Sequence, residues 1–297
     1  FGSIEIFFSV TVFFYKMIKI FNKIIKDQLG NNLSLKDWPL SYLKFSTVTS
    51  GAGLNDKVIF LVFKNRASSP FLCLKTVRNY EAKEAISRNF HNLKKLNTLT
   101  SGSSYCRLFA EALYLHDDGE SIFSIETSCP GKKVKLNKDK LRIAVESYID
   151  FQEYLAKSDD NSLRNIGELA KEAVIKSGLN ERDQLKILEY IAKLPPREVR
   201  LPRIIQHGDL TLDNLLWSKG GLCIIDYDYV GSSDTPGFDL FGLFRRFNKA
   251  DLLKLCKEYF PTYFKKIGGE FSGDNYRGLL FLYHLAELTR DKMTYYK

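Results

Sequence analysis

"QHGDLTLDN" at residues 206–214 and "IIDYDYVG" at residues 224–231 are the stretches of this 297-residue chain that indicate its fold. Together they place one histidine, four carboxylates and one asparagine beside strongly apolar runs. Turn formation explains one or two such residues, because Asp and Asn are common in tight turns. The remainder predict a functional site, with Asp209, Asn214 and Asp226 as its main candidates.

The spacing of these three residues is typical of phosphoryl transfer from ATP. That reaction needs a base near the attacking hydroxyl, oxygen ligands for magnesium and positive charge on the phosphates. Asp209 and Asn214 have the D-x-x-x-x-N spacing that places a base and a metal-binding amide on the same side. Asp226 ends the apolar strand "LCIID", and Mg²⁺ prefers such oxygen ligands. Singly these residues are also turn formers and a strand cap, but their combined order favours a kinase-type site.

The segments "HGDLTLDNLLW", "CIIDYDYVG" and "GFDL" resemble the Brenner-motif block of the aminoglycoside phosphotransferase and choline kinase family. Members of that family are small-molecule kinases with a protein-kinase-like fold. The family pattern H-G-D-x-x-x-x-N, then I-D-[aromatic]-[acidic], then D-L, occurs here in order.

The resemblance implies a role for each matched residue. Asp209 would be the catalytic base, and Asn214 and Asp226 would bind magnesium. His207 would brace the catalytic loop, and Asp239 would anchor the backbone of that loop from a following helix. Of the other acids, Asp213 would be an exposed loop residue and Asp228 an electrostatic neighbour of the metal.

Residues 42–77 contain three short runs rich in β-branched and aromatic residues, which predict an antiparallel meander. Between the first two runs, "TSGAGLNDKVI" places Ser50, Gly51 and Gly53 where backbone N–H groups could approach phosphate oxygens. A plain hairpin turn is the alternative interpretation of these residues.

Lys75, in the apolar run "FLCLKTV", is the candidate phosphate-binding lysine. A buried lysine is costly unless its ammonium group reaches an anion. The alternative is a lysine on an edge strand that reaches solvent. The resemblance assigns Lys75 to the α- and β-phosphates and counts it, with Asp209 and His207, among the catalytic residues.

The helix predicted within residues 79–99 departs from the family pattern. Alignment of "RNFHNLKKL" with R-E-[aromatic]-x-x-L-x-x-L puts Asn89 where the family has the glutamate that pairs with the lysine. Glu84 or Glu81 could reach Lys75 only from a different direction. We therefore expect either a shifted helix register or a loosely oriented lysine with modest activity.

The run "FSIETSCPGKKV" resembles the family hinge, where Glu126 to Ser128 would offer backbone groups to the adenine. A β-rich half joined to a mostly helical half predicts an α+β, protein-kinase-like fold of two lobes with a cleft between them. The predicted domains are an extension at 1–36, an N-lobe at 37–127 and a C-lobe at 128–297. In the C-lobe, periodicity predicts helices near 137–157, 163–177, 182–194 and 238–296, with short strands at "RIIQ" (203–206) and "LCIID" (222–226).

The extension at residues 1–36 reads as a basic amphipathic helix. Its apolar run, Ile6 to Tyr15, is too short for the roughly 20 residues of a membrane-spanning helix. Its charges follow the apolar run, whereas those of a signal peptide precede it. The two interpretations are a helix packed on the main domain and peripheral membrane contact through residues 4–29.

Cysteine spacing and charge distribution argue against a metal or redox cysteine centre and against nucleic-acid binding. The five cysteines are scattered without a C-x-x-C pair, which predicts reduced core thiols in a cytoplasmic protein. The net charge of +9 is spread along the chain without a nucleic-acid motif, so no nucleic-acid partner is expected. An anionic ligand or a membrane surface fits the charge better.

The sequence therefore predicts an ATP- and Mg²⁺-dependent kinase that phosphorylates a hydroxyl group of a small molecule. Residues 241–297 hold 11 Lys and Arg against 6 Asp and Glu, which favours a neutral or anionic acceptor such as a sugar or glycan precursor. Aromatic residues in that region would either stack on a sugar or form helix core. The rival functions are a nucleotide-binding pseudokinase and an adenylyl transferase; a protein kinase is disfavoured because Gly208 stands where an arginine is usual.

Overall fold

The computed structural model describes residues 19–24, 43–49, 56–64, 67–129, 131–133, 138–158, 163–176, 179–193, 200–233, 235–269, 279–280, 282–285 and 287. The strands are β1 (Lys44–Thr49), β2 (Lys57–Phe63), β3 (Leu72–Val77), β4 (Ala112–Asp117), β5 (Ile122–Thr127), β6 (Lys132–Lys133), β7 (Arg164–Asn165), β8 (Arg200–Leu201), β9 (Leu215–Ser218) and β10 (Gly221–Ile224). The α-helices are α1 (Lys83–Thr100), α2 (Lys138–Ser158), α3 (Ile166–Lys176), α4 (Glu181–Lys193), α5 (Phe238–Phe244) and α6 (Lys249–Lys266). The chain divides into a first unit, Phe1–Glu81 with Leu113–Ser128, and a second unit, Ala82–Ala112 with Cys129–Lys297.

The first unit contains a five-stranded sheet in the order β1-β2-β3-β5-β4. The pairs β1–β2, β2–β3 and β3–β5 are antiparallel. Burial alternates along β2, whereas every residue of β3 is buried, as expected for a central strand. The position of β3 means that Lys75 is not on an edge strand, so the solvent-reaching interpretation of this lysine is wrong.

Residues 19–24 are helical and pack on this sheet. Phe21 and Ile24 are buried in the same core as the strand residues Val58 and Phe60, and the Phe21 ring lies 5.6 Å from that of Phe45. This part of the extension is therefore a helix packed on its unit. Residues 4–18 and 25–29 lie outside the described residues, and membrane contact through them stays a prediction. Within the described ranges, no helix is long and apolar enough to cross a membrane.

The second unit has a large hydrophobic core, contributed mainly by its helices, and two small sheets. One sheet has the order β10-β9-β6, and the other pairs β7 with β8. The aromatic side chains proposed to stack on a sugar are mostly core residues: Phe260, Tyr263, Phe264 and Tyr283 are each 0% exposed. Stacking on an acceptor is thus wrong for these four residues; Tyr276 lies outside the described residues.

The predicted strand at residues 203–206 is wrong. The Gln206 backbone bonds instead to the loop that follows β10, because its N–H donates to Ser233 O and its carbonyl accepts from Gly231 N. The strand in this region is β8, which precedes the segment and pairs with β7.

The expectation of reduced thiols is wrong for one pair of cysteines. Cys129 and Cys223 form a disulfide with a Cα–Cα distance of 6.1 Å. They are 94 residues apart, so spacing gave no signal, whereas the sheet order β10-β9-β6 brings the two segments together. Of the other cysteines, Cys73 and Cys256 are buried thiols and Cys106 is exposed.

Candidate active site

The loop from His207 to Asn214 is closed by a hydrogen bond between Asp209 and Asn214. The Asn214 Nδ2 atom donates to the Asp209 carbonyl oxygen at 2.8 Å and lies 3.3 Å from the Asp209 carboxylate. An amide has one donor end and one acceptor end, and the donor end is used here. The Oδ1 atom of Asn214 is therefore the end that can ligate a cation beside the Asp209 carboxylate.

A short 3-10 turn, Leu212–Asn214, brings this asparagine back toward the strand that ends before Asp226. Its backbone N–H donates to Thr211 O at 3.0 Å, and its carbonyl accepts from Ile225 N at 2.9 Å. Asn214 thus joins the loop of the candidate base to Ile225, the residue that directly precedes the candidate metal carboxylate Asp226.

His207 makes a second link between the loop and the Asp226 segment. Its side chain is buried, and its Nε2 atom lies 3.1 Å from Ile225 O. Because a carbonyl oxygen only accepts, the His207 Nε2 atom carries a proton and donates it to this hydrogen bond. This geometry is that of a residue that braces the loop, in line with the role implied by the resemblance.

Asp239, in the first turn of α5, accepts hydrogen bonds from the loop backbone. Its buried carboxylate accepts hydrogen bonds from His207 N at 2.5 Å and Gly208 N at 2.8 Å, and also from the Tyr148 hydroxyl. Burial raises the pKa of the Asp239 carboxyl above its ordinary value, and the bonds from Tyr148, His207 and Gly208 oppose that shift. The proposed anchor is therefore present in the structure.

Asp226 has a backbone φ of 69°, in the left-handed region. Among the described residues other than glycine, it is the one with a positive φ. A residue other than glycine in this region costs of order 1–3 kcal/mol, and such strain clusters at functional sites. Asp and Asn tolerate the conformation better than most residues. The strained backbone sets the direction in which the Asp226 carboxylate leaves the end of the β10 strand.

Asp213 is more than an exposed loop acid. Its carboxylate lies 3.2 Å from Lys133 Nζ and 2.5 Å from Arg246 Nη1. Hydrogen bonds from Lys133 and Arg246 lower the pKa of the Asp213 carboxyl. These pairs attach the outer side of the 207–214 loop to β6 and to the residues after α5.

Asn89 and Asn92 of α1 also belong to this site, although the sequence indicated Asn89 only as a departure from the family pattern. Asn89 is 0% exposed, and its Nδ2 atom donates to Asp228 Oδ1 at 2.7 Å. Asn92 Nδ2 donates to Tyr227 O at 2.8 Å. The amides of α1 thus bind the segment that follows Asp226.

Lys75 pairs with a carboxylate on the neighbouring strand β5. Lys75 Nζ lies 2.8 Å from Glu126 Oε1, and both side chains are buried, with 7% and 6% exposure. Glu126 is opposite Cys73 in the β3–β5 register, so it is diagonal to Lys75 on the same face of the sheet. Burial, followed by the charge of Glu126, raises the pKa of the Cys73 thiol well above its usual range.

Replacing Glu126 with Gln is expected to destabilise the protein by about 3–5 kcal/mol, because it removes a carboxylate that pairs with the buried Lys75 ammonium group. Urea unfolding at neutral pH measures this effect. The double variant Lys75→Met with Glu126→Gln removes both charges and should cost less than the sum of the single changes. Additive losses would contradict the pairing.

The structure describes only some of the remaining predicted site residues. Ser50, Gly51 and Gly53 lie outside the described residues, although the β1–β2 pairing on either side of them is that of a hairpin. Ser128 follows β5, and its N–H donates to Phe71 O at 3.0 Å. That hydrogen bond extends the pairing on the β3 side of the sheet.

The sequence profile of the phosphotransferase enzyme family matches residues 130–277, a segment that holds the 207–214 loop, Asp226 and Asp239. This segment, just under half of the chain, belongs to the family. The structure of the phosphotransferase is also similar to solved structures of kinases that act on small molecules. No curated protein sequence matches the chain significantly.

Three of these solved structures illustrate the likeness. A thermostable mutant of an aminoglycoside phosphotransferase, in a complex with ADP and hygromycin B, has TM-score 0.53 and 10% identity, with 91% of this chain and 92% of that one covered. An ethanolamine kinase from Plasmodium vivax has TM-score 0.51 and 14% identity, with coverage of 92% and 80%. An amicoumacin kinase with bound AMP-PNP has TM-score 0.51 and 12% identity, with coverage of 91% and 86%. At these identities the likeness shows the fold alone, and the predicted α+β, protein-kinase-like fold is confirmed.

Proposed function

We propose that this phosphotransferase transfers the γ-phosphate of ATP to a hydroxyl group of a small molecule. The observation that carries the proposal is the hydrogen bond between Asn214 Nδ2 and Asp209, which holds a candidate base beside a candidate cation ligand. Asp209 is partly exposed, whereas the groups that position it are buried. A carboxylate held in this way can orient an acceptor hydroxyl and take its proton as the phosphoryl group is transferred.

Each unit would contribute its own residues to nucleotide binding. The first unit would supply the Lys75 ammonium group to the α- and β-phosphates, Ser50, Gly51 and Gly53 to a phosphate loop, and backbone groups of Glu126 and Ser128 to the adenine. The ion pair with Glu126 supports this role for Lys75, because it keeps the lysine charged in a buried position.

The second unit would hold magnesium through Asn214 Oδ1 and the Asp226 carboxylate. The donor set fits, because Mg²⁺ takes hard oxygen ligands and usually binds one or two protein groups together with phosphate oxygens. When bound, the ion would neutralise charge on the phosphates. His207 and Asp239 would act as positioning residues, since their hydrogen bonds fix the backbone that directly precedes Asp209.

Asp209 borders a narrow indentation whose lining includes Thr211, Arg245 and Glu287, and the last two form an ion pair. The indentation is too small to hold an acceptor, so these side chains would only border the acceptor. Side chains of both charges suit a compound with several hydroxyl groups, and a sugar or glycan precursor is the favoured class. The excess of positive charge in residues 241–297 further favours a neutral or anionic compound.

The test is a screen of hydroxyl-bearing metabolites, led by sugars and glycan precursors, with ATP and Mg²⁺. We expect acceptor-dependent release of ADP and a product heavier by one phosphoryl group in mass spectrometry. The Asp209→Asn variant is the matched control, because ADP release that persists in it comes from a contaminating enzyme.

Other products identify the rival functions. AMP or pyrophosphate in place of ADP would identify an adenylyl transferase. A thermal shift with ATP and Mg²⁺, but no turnover with any acceptor, would identify a nucleotide-binding pseudokinase.

A further inference from the structure

Two asparagine amides on one face of α1 bind the backbone and side chain of the segment that follows Asp226. The Asn89 amide reaches the Asp228 carboxylate at 2.7 Å. One turn later on the same helix face, Asn92 Nδ2 reaches Tyr227 O at 2.8 Å and Asp228 O at 3.3 Å. All four residues belong to the second unit, so these contacts are internal to it.

The segment needs such support because Asp226 is strained, with φ 69°. On the other side, the Tyr227 ring is fully buried, with its hydroxyl donating to Ile224 O at 2.7 Å and accepting from Ala110 N at 3.1 Å. The Asp228 side chain is only partly buried, and the amide of Asn89 gives it a fixed direction. The position of Asp226 is thus set from both sides of the chain.

The charges explain why an asparagine suits residue 89. An amide N–H donates to a carboxylate without adding charge, whereas a glutamate or aspartate here would place a second carboxylate against Asp228. Two carboxylates in hydrogen-bond contact repel each other strongly in a buried setting. Since Glu126 already supplies the negative charge that faces Lys75, the first unit does not depend on an acid at position 89 for that purpose.

We propose that Asn89 is a positioning residue that orients Asp226 by holding Asp228, and that the Asn89–Asp228 pair sets the affinity for the metal–nucleotide complex. This inference rests on the proposed function. It assigns Asn89 a purpose in an active enzyme and removes the reason to expect low activity from its presence.

The experiment exchanges the two side chains, which are nearly isosteric. Asn89→Asp alone places two carboxylates together and should weaken binding of Mn²⁺ with ADP by roughly 10- to 100-fold, as loss of a metal ligand's supporting contact does. The exchange Asn89→Asp with Asp228→Asn restores one donor and one acceptor and should recover most of that loss. Asp228→Asn alone keeps an acceptor for Asn89 and should weaken binding less than Asn89→Asp does.

Controls separate positioning from general damage. Lys95→Gln makes the same change in net charge at an exposed position of α1 and should leave binding unchanged. Hydrogen exchange of the peptide that covers residues 225–231 should accelerate in Asn89→Asp and return to the wild-type rate in the exchanged pair. This readout needs neither nucleotide nor turnover, so it remains decisive if the proposed function fails.

Two results would overturn the proposal. One is an exchanged pair that binds no better, and exchanges no more slowly, than Asn89→Asp. The other is an Asp228→Asn effect on Mn²⁺–ADP binding as large as that of Asn89→Asp, which would mean that Asp228 acts on the cation itself.

Discussion

Replacing Asp226 with Ala is expected to lower kcat/KM for ATP-dependent phosphorylation by roughly 100- to 1000-fold or more, because the carboxylate is the charged ligand proposed for magnesium. The overall fold should persist, since Asp226 is partly exposed and follows the strand pairing of β10. Steady-state kinetics across a range of Mg²⁺ concentrations, with circular dichroism as a check on folding, measure both expectations.

Two further substitutions separate the ligand role from the backbone role. Asp226→Gly accepts the positive φ without strain but has no carboxylate, whereas Asp226→Asn tolerates the same φ and keeps the shape without the charge. Both should be as inactive as the alanine variant, within the scatter of the measurement. Near wild-type turnover in Asp226→Gly would show that this position matters only for chain direction.

Replacing Gly208 with Ala is expected to destabilise the protein by about 3 kcal/mol or more and to remove activity from any molecules that fold. A Cβ atom at Gly208 would lie 2.2 Å from Tyr229 O and 2.6 Å from Ser232 Oγ, and the backbone there has φ +83°. Since the nearest neighbour is backbone, the loop itself must move. A displacement of 1 Å at a catalytic group can cost on the order of 100-fold in rate.

Gly231→Ala is the matched control for this prediction. Its φ is +77°, but a Cβ there would meet nothing within 4 Å, so it carries the conformational strain without the clash. We expect it to cost only about 1–2 kcal/mol and to leave activity largely intact. If urea unfolding shows equal losses of unfolding free energy for the two variants, the close approach of Gly208 to Tyr229 does not contribute to stability.

Much of the fold could be predicted because its elements carry local signals. The alternation of β2, the apolar run of β3 and the helical periodicity of α1 to α4 are visible in the sequence. The order of Asp209, Asn214 and Asp226 likewise predicted a loop beside a strand end, and the structure links these segments by hydrogen bonds.

The parts that could not be predicted depend on pairing between distant segments. Lys75 pairs with Glu126 because β3 lies beside β5, and no local pattern gives that register. The direction of Asn89 toward Asp228 depends on packing between residues 139 positions apart. The same cause explains the two wrong predictions, reduced Cys129 and Cys223 thiols and a strand at 203–206. In both cases the structure depends on contacts with residues that are distant in sequence.

The two attachments of the 207–214 loop will respond differently to salt. Asp213 is bound to Lys133 and Arg246 by ion pairs whose side chains are 47%, 66% and 50% exposed. Dissolved ions weaken such exposed pairs progressively as the screening length falls from about 10 Å at 0.1 M to about 3 Å at 1 M ionic strength. Asp239 is bound by backbone N–H groups in the interior, where ions do not penetrate. Raising the ionic strength would therefore loosen the outer side of the loop, while His207 and Gly208 stay in place.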